Sequence, residues 1–264
     1  MNAQAPSGRR LAGVLTAAVL LVLSGCGGGA GTAKKATTTT KVLPRVPTPV
    51  SPGSASSDPA LEPPAGTVFV ATANVASLPV YQTPRALSPA QTLANPNMLG
   101  APLTLLVNAV HNGWLQVYLP ERPNEFTGWI TRTNVSLTTD PYRIEVSLGA
   151  RQVTLYRQGV KVSTASAAVG SPDSPTPTGH FYVTEDLQVT DPSGPYGPYA
   201  LGLSGFSNTY YSFDGGPGQI AIHGTNQPQV IGGYASHGCV RLTNPDIAAL
   251  VKQVPAGTPV DIVA

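Results

Sequence analysis

Glycine and proline punctuate this chain so densely, at 28 and 27 of 264 residues, that a long uninterrupted helix has little room to form. Proline removes a backbone donor and glycine raises the entropy lost on ordering, so both break helices and favour turns. Short apolar runs between those breaks are what the chain can build with. Ile144, Val146 and Leu148 alternate with Glu145 and Ser147, Val153 and Leu155 flank Thr154, and Val160 and Val162 flank Lys161, with turn residues at Gly149-Ala150 and Gln158-Gly159. That period of two is the signature of strands with one buried face. The expected fold class is therefore mostly β.

The N-terminus has a different character. Arg9 and Arg10 precede an apolar run over 11–23 that is too short to span a bilayer. It closes in Leu23-Ser24-Gly25-Cys26, which resembles a bacterial lipobox. The resemblance implies a signal peptide over 1–25 and a diacylglyceryl thioether on Cys26, which becomes the first mature residue; an ordinary leader cut nearby is the alternative. Lipidation implies an exported protein tethered to the outer face of the cell membrane and facing the cell wall. The arginine pair leaves Sec or twin-arginine export open.

From Cys26 to residue 66 the chain is rich in Pro, Thr and Ser with no hydrophobic periodicity, which predicts a disordered linker. A formal net charge of +2 is too small to indicate nucleic acid as a partner.

Between 67 and 138 several short apolar segments separated by turn residues predict a small all-β barrel. Asn112-Gly113-Trp114-Leu115-Gln116-Val117 and Gly128-Trp129-Ile130 resemble the bacterial Src-homology-type barrel found beside cell-wall enzymes. Trp114 and Trp129 either grip wall polymer or fill the small core, and core packing is the expectation.

The second domain spans 142–264. Its meander of strands leads into an irregular stretch over 170–218 with one predicted strand at 180–184, and a loop of that length predicts an active-site flap over about 185–218. Near the end, Asn244-Pro245-Asp246 with Ile247, Leu250 and Val251 predicts one short helix capped by Asn244.

The chemistry concentrates in IHGTNQPQVIGGYASHGCVRL, residues 222–242. Cys239 is the one cysteine outside the leader, and an unpaired thiol in an exported protein must be buried or useful. In a strand at 219–223, Ala221 and His223 face away from Ile220 and Ile222; at 239–242, Cys239 and Arg241 face away from Val240 and Leu242. If the two segments are neighbouring strands, the thiol and the imidazole meet above the sheet, with His223 as base for Cys239. The backbone N–H groups of Gly238 and Cys239 are candidate oxyanion donors.

TPTGHF at 176–181, HGTN at 223–226 and SHGCVRL at 236–242 resemble, in order and spacing, the motifs of the L,D-transpeptidase catalytic domain, also called the YkuD domain. The resemblance implies a β-sandwich with an active-site flap and acyl transfer on peptidoglycan stem peptides, with no cofactor and no metal. Carried over by position, Cys239 is the nucleophile and His223 its proton acceptor. His237, Gly238 and Ser236 support the site or form the oxyanion turn. Gly224, Thr225 and Asn226 shape the loop or touch substrate, and Arg241 either meets a substrate carboxylate or holds a loop, the latter being the expectation. The implied reaction attacks the third stem residue, diaminopimelate or lysine, and expels terminal D-alanine; an amine acceptor then gives a cross-link, and water gives L,D-carboxypeptidase activity.

Three other readings stand beside it. A zinc site would use His223, His237 and Cys239, but no fourth ligand is apparent. An exported cysteine peptidase of the NlpC type would place its cysteine before its histidine, the reverse of this order. A non-catalytic wall-binding anchor would have no need of both residues. Oligomeric state and the acyl acceptor are open.

Overall fold

The computed structural model describes residues 61–213 and 215–264. The leader and lipobox, Cys26, and the linker as far as residue 60 lie outside the described residues. Among those described, no helix is long and apolar enough to cross a membrane.

The N-terminal strands are β1 (Val68–Ala73), β2 (Ser77–Val80), β3 (Gln91–Ala94), β4 (Thr104–His111), β5 (Trp114–Tyr118), β6 (Thr127–Thr131) and β7 (Val135–Asp140). Five of them form an antiparallel sheet in the order β6-β5-β4-β1-β7, and β2 pairs with β3 as a separate hairpin. Leu78, Leu105, Leu115, Val117 and Ile130 fill its core. Because side chains alternate along a strand, Leu115 and Ile130, paired in register, take the inward positions and leave Trp114 and Trp129 half-exposed on the other face. Neither tryptophan is a core residue; Tyr81 packs edge-on to Trp114 at 5.1 Å.

The remaining strands are β8 (Tyr142–Ser147), β9 (Gln152–Arg157), β10 (Val160–Ser166), β11 (Val169–Gly170), β12 (Gly179–Gln188), β13 (Tyr199–Phe206), β14 (Gln219–His223), β15 (Tyr234–Ser236), β16 (Val240–Arg241) and β17 (Pro259–Val263). Eight of them make one sheet in the order β10-β9-β8-β17-β12-β13-β14-β16, with β11 and β15 paired separately. The long strand β12 is the corner. Residues 179–182 pair with β17, residues 183–188 pair with β13, and the register shifts between Val183 and Glu185. A strand that changes partners along its length lets two layers face each other across one core. Ile144, Val146 and Leu155 from one side of the corner therefore share a core with Leu201, Ile222 and Val240 from the other. The fold is mostly β, with a single short α-helix, α1 (Asn244–Val251), among the described residues.

Two sequence expectations need correction. The 170–218 stretch holds more than the one predicted strand at 180–184, and 185–218 is not one irregular flap, because β13 runs through it and pairs with β12 as a hairpin. This strand escaped notice because all its positions except the first are buried, so polar alternation is missing, and because it contains Gly202 and Gly205. A side chain at Gly202 would collide with the Glu185 carboxylate, and one at Gly205 would lie 2.7 Å from the Phe181 ring, so here glycine marks close packing and not a turn. The helix cap is also Thr243 and not Asn244: Thr243 Oγ1 accepts from the Asp246 N–H at 3.3 Å and donates to its carboxylate.

The N-terminal sheet and the eight-stranded sheet share a side chain. Tyr182, on β12, is fully buried within the N-terminal core among residues such as Leu105 and Leu115.

Candidate active site

Strands β14 and β16 lie side by side and parallel, with Ile222 opposite Val240 and His223 opposite Arg241. Ile220, Ile222, Val240 and Leu242 all point into the core. The alternate positions His223, Cys239 and Arg241 line one cavity of about 440 Å³ on the other side. Strand periodicity thus converts two apolar anchors per segment into a shared polar wall.

His223 is only 2% exposed. Its Nδ1 donates to the Gly224 carbonyl oxygen at 2.6 Å, which fixes the tautomer and leaves the Nε2 lone pair as the basic one. The Tyr196 ring stands edge-on at 4.9 Å. Burial brings the imidazole pKa down to about 4; the Gly224 carbonyl opposes this, and the positive charge of Arg241 adds to it. The ring is therefore uncharged at neutral pH. Burial also pushes the Cys239 thiol up, against the opposing effects of a backbone hydrogen bond from Ala221 and the Arg241 charge. Both shifts disfavour a resting thiolate–imidazolium pair. The arrangement puts a neutral imidazole and a neutral thiol on one cavity wall.

Ser236 organises the turn before the thiol. It is buried, its Oγ donates to the Cys239 carbonyl at 2.5 Å, and the same oxygen accepts from the Gly238 N–H at 3.1 Å. One of the two expected oxyanion donors, the Gly238 N–H, is thereby already engaged, which leaves the Cys239 N–H as the candidate in this turn. Gly238 adopts φ +120°, a conformation closed to most side chains, so glycine is needed here for backbone shape. Among the described residues, the ring neighbours of His237 do not include His223. His237 lies exposed at the rim, against Phe213 at 5.1 Å and Tyr210 at 5.7 Å.

Arg241 was expected to hold a loop through its guanidinium. Among the described residues only its backbone does so, exchanging hydrogen bonds with Ala168 at 2.8 and 2.9 Å. Its Nε is buried without a hydrogen-bond partner, and among the described residues no carboxylate pairs with it. A buried donor left open in a cavity is a natural place for an acceptor from outside the chain.

Gly224, Thr225 and Asn226 do not line the cavity. Thr225 is buried, its N–H donates to Asn244 Oδ1 at 2.8 Å, and its hydroxyl accepts from the Gln227 N–H at 3.0 Å. Gly224 lies against the same Asn244 oxygen and Gly197, with no space for a side chain. Both shape the loop, whereas Asn226 points outward, exposed. Sequence reasoning missed Asn244 in this role by assigning it to the helix cap. It also missed Tyr196, Ser207, Tyr210 and Phe213, cavity residues in loops whose only signal was a richness in Tyr, Pro and Gly.

Comparison with known proteins gives a consistent result. The family model described as the L,D-transpeptidase catalytic domain, YkuD, matches residues 141–262. The Bacillus subtilis protein YkuD, named as an L,D-transpeptidase, is 40% identical over 124 residues, covering 47% of this chain and 67% of the relative. YbiS of Escherichia coli K12, also named as an L,D-transpeptidase, is 40% identical over 79 residues, covering 30% of this chain and 22% of that one. Among solved structures, L,D-transpeptidase 3 from Mycobacterium tuberculosis in complex with a faropenem-derived adduct aligns with a TM-score of 0.43 at 16% identity, covering 75% of this chain and 82% of that chain. An L,D-transpeptidase from M. tuberculosis H37Rv aligns at 0.41 and 20% identity, covering 55% and 75%.

Proposed function

Because this chain belongs to the L,D-transpeptidase family with the YkuD catalytic domain, we propose that it cross-links peptidoglycan stem peptides through a thioester on Cys239. The observation that carries this reading is the placement, on one cavity wall, of an uncharged, tautomer-fixed His223 at the end of β14 and of Cys239 immediately before the adjacent β16.

In the first half-reaction the Cys239 sulfur attacks the carbonyl carbon of the third stem residue while His223 Nε2 takes the thiol proton. The carbonyl oxygen becomes an oxyanion that the Cys239 N–H can reach, an interaction worth ~3 kcal/mol where such donors have been removed. The positive charge of Arg241 favours the Cys239 thiolate and opposes protonation of His223. Collapse breaks the peptide bond, and the departing amine of D-alanine takes the proton from His223, leaving the thioester. In the second half-reaction a side-chain amine of a neighbouring stem attacks the thioester carbonyl and gives its proton to His223. The C–S bond breaks, the sulfur is reprotonated, and a new amide joins the stems. Water in place of the amine yields a tripeptide.

Export and a lipid anchor at Cys26 place this reaction on the outer face of the membrane, and residues 67–138 act as a Src-homology-type module beside the enzyme. Incubation with a disaccharide tetrapeptide and, separately, with a carbapenem tests the chemistry by mass spectrometry. Loss of D-alanine with a dimeric tetrapeptide-tripeptide product is expected, together with a single carbapenem adduct absent from Cys239→Ala. Cleavage within the stem without D-alanine release would replace this reading with a cysteine peptidase.

A further inference from the structure

One wall of the cavity is held in place by the N-terminal part of the chain. The loop over 207–218 carries Tyr210 and Phe213, whose rings contact His237 two residues before the nucleophile. Its own structure is tight: Ser207 N–H donates to the Gly218 carbonyl at 2.8 Å, and Ser207 Oγ accepts from the N–H groups of Thr209 and Tyr210 at 3.1 and 3.0 Å. These bonds close the neck of the loop but leave several carbonyls pointing outward. Arg122, in the connection between β5 and β6, gathers three of them. Its Nη1 donates to Ser207 O at 2.7 Å, and its Nη2 donates to Tyr210 O at 3.1 Å and Pro217 O at 3.3 Å. The guanidinium also lies 4.5 Å from the centre of the Tyr211 ring and 5.0 Å from that of Phe206. Two residues on, Asn124 exchanges a pair of hydrogen bonds with the Phe206 backbone at 2.8 and 2.9 Å. Among the described residues no carboxylate pairs with Arg122, so its bonds go to the loop.

The geometry points to Arg122 as a positioning residue for the reaction: by drawing together the Ser207, Tyr210 and Pro217 carbonyls it sets the shape of the cavity wall, which makes the N-terminal sheet part of the working enzyme. The inference rests on the acyl-transfer reading for its consequence, though not for its geometry. The guanidinium reaches the three carbonyls from two nitrogens held in one plane, Nη1 and Nη2, whereas a lysine ammonium would have to bring all three donors to them from a single nitrogen. Gly218 fits the same constraint, since at φ +74° any side chain there would run into the Tyr210 carbonyl that Arg122 holds. Without the clamp, Tyr210 and Phe213 lose their fixed position and the donor stem meets a loose wall.

The test uses the full chain with Arg122→Ala, Arg122→Lys and, as a control of ordinary destabilisation in the N-terminal core, Val110→Ala. In Arg122→Ala, amide exchange over 208–213 and 215–218 rises about tenfold while the sheets stay protected. KM for the tetrapeptide rises about tenfold with kcat changed less than about threefold, since the loop shapes binding and does not supply the proton transfer. Arg122→Lys moves both readouts in the same direction by less, and Val110→Ala moves neither. Unchanged loop exchange in Arg122→Ala, full rescue by lysine, or an equal KM change in Val110→Ala overturns the proposal. If the unsubstituted protein turns over no tetrapeptide, the acyl-transfer reading fails; loop exchange and the rate of Cys239 alkylation by iodoacetamide in the Arg122 variants still decide whether the clamp exists.

Discussion

At the scale of single residues the site is defined by what burial does to two protonation equilibria. His223 stays neutral above about pH 4, and Cys239 stays protonated near neutrality, because charge on either is disfavoured in the same dry wall. Both shifts disfavour a standing thiolate, and in the proposed acyl transfer the imidazole acts as a base at the moment of attack. The pH dependence follows from the direction of each shift. Acylation by a carbapenem, followed by stopped-flow, is expected to be flat over roughly pH 5 to 8 and to fall as His223 protonates below that range. Alkylation by iodoacetamide, which needs thiolate already formed, is expected to keep climbing with pH through the alkaline range; a plateau near neutrality would show a resting ion pair instead. That Cys239 and His223 share one face was legible in the sequence, because the period-two alternation around Ile220, Ile222, Val240 and Leu242 leaves only one face for them. The use of the Gly238 N–H was not legible. It depends on where the Ser236 hydroxyl points, and a hydroxyl can donate or accept in several directions.

At the scale of elements, strands with one wet face could be read, whereas burial on both faces combined with internal glycines hid a strand. The strand pattern at 142–147 and 152–157 appears in the structure as β8 and β9, whereas β13 is buried on both faces and carries the glycines that sequence reasoning associates with turns. The requirement at Gly202 can be measured. Gly202→Ala forces a methyl group against Glu185, whose carboxylate is held by Asn97 and Gln219, and is expected to lower stability by about 2 kcal/mol in chemical denaturation. A neutral result would mean that β12 and β13 can shift apart freely. The short helix shows a smaller version of the same limit. Thr243 and Asn244 are both good capping residues, and which one caps was decided by Asn244 being drawn to the Thr225 N–H nineteen positions away.

At the scale of the whole molecule, the N-terminal sheet and the catalytic sheet are joined through packed side chains and not only through the chain between them. Tyr182 supplies a catalytic-side ring to the N-terminal core, and its hydroxyl is buried without a partner there. Tyr182→Phe is therefore expected to be neutral or stabilising by up to about 1 kcal/mol, since it removes an unsatisfied hydroxyl and keeps the ring. Tyr182→Ala is expected to cost about 3–5 kcal/mol by emptying a shared core. Equilibrium unfolding of the two variants separates the effects, and a clear loss in Tyr182→Phe would reveal a partner for the hydroxyl.

The amino-acid sequence by itself determined the β class, the two segments that carry sulfur and imidazole, and the face each residue takes, because alternation along a strand is a local property that neighbouring residues impose. Only the tertiary structure decided which loops wall the cavity, that Arg122 reaches them from a strand connection more than eighty residues earlier in the chain, that the tryptophans face outward, and that Tyr182 serves the neighbouring core. Each of those outcomes is a contact between residues distant in the chain, and such contacts are fixed by shape, burial and the satisfaction of buried polar groups once the sheets have closed.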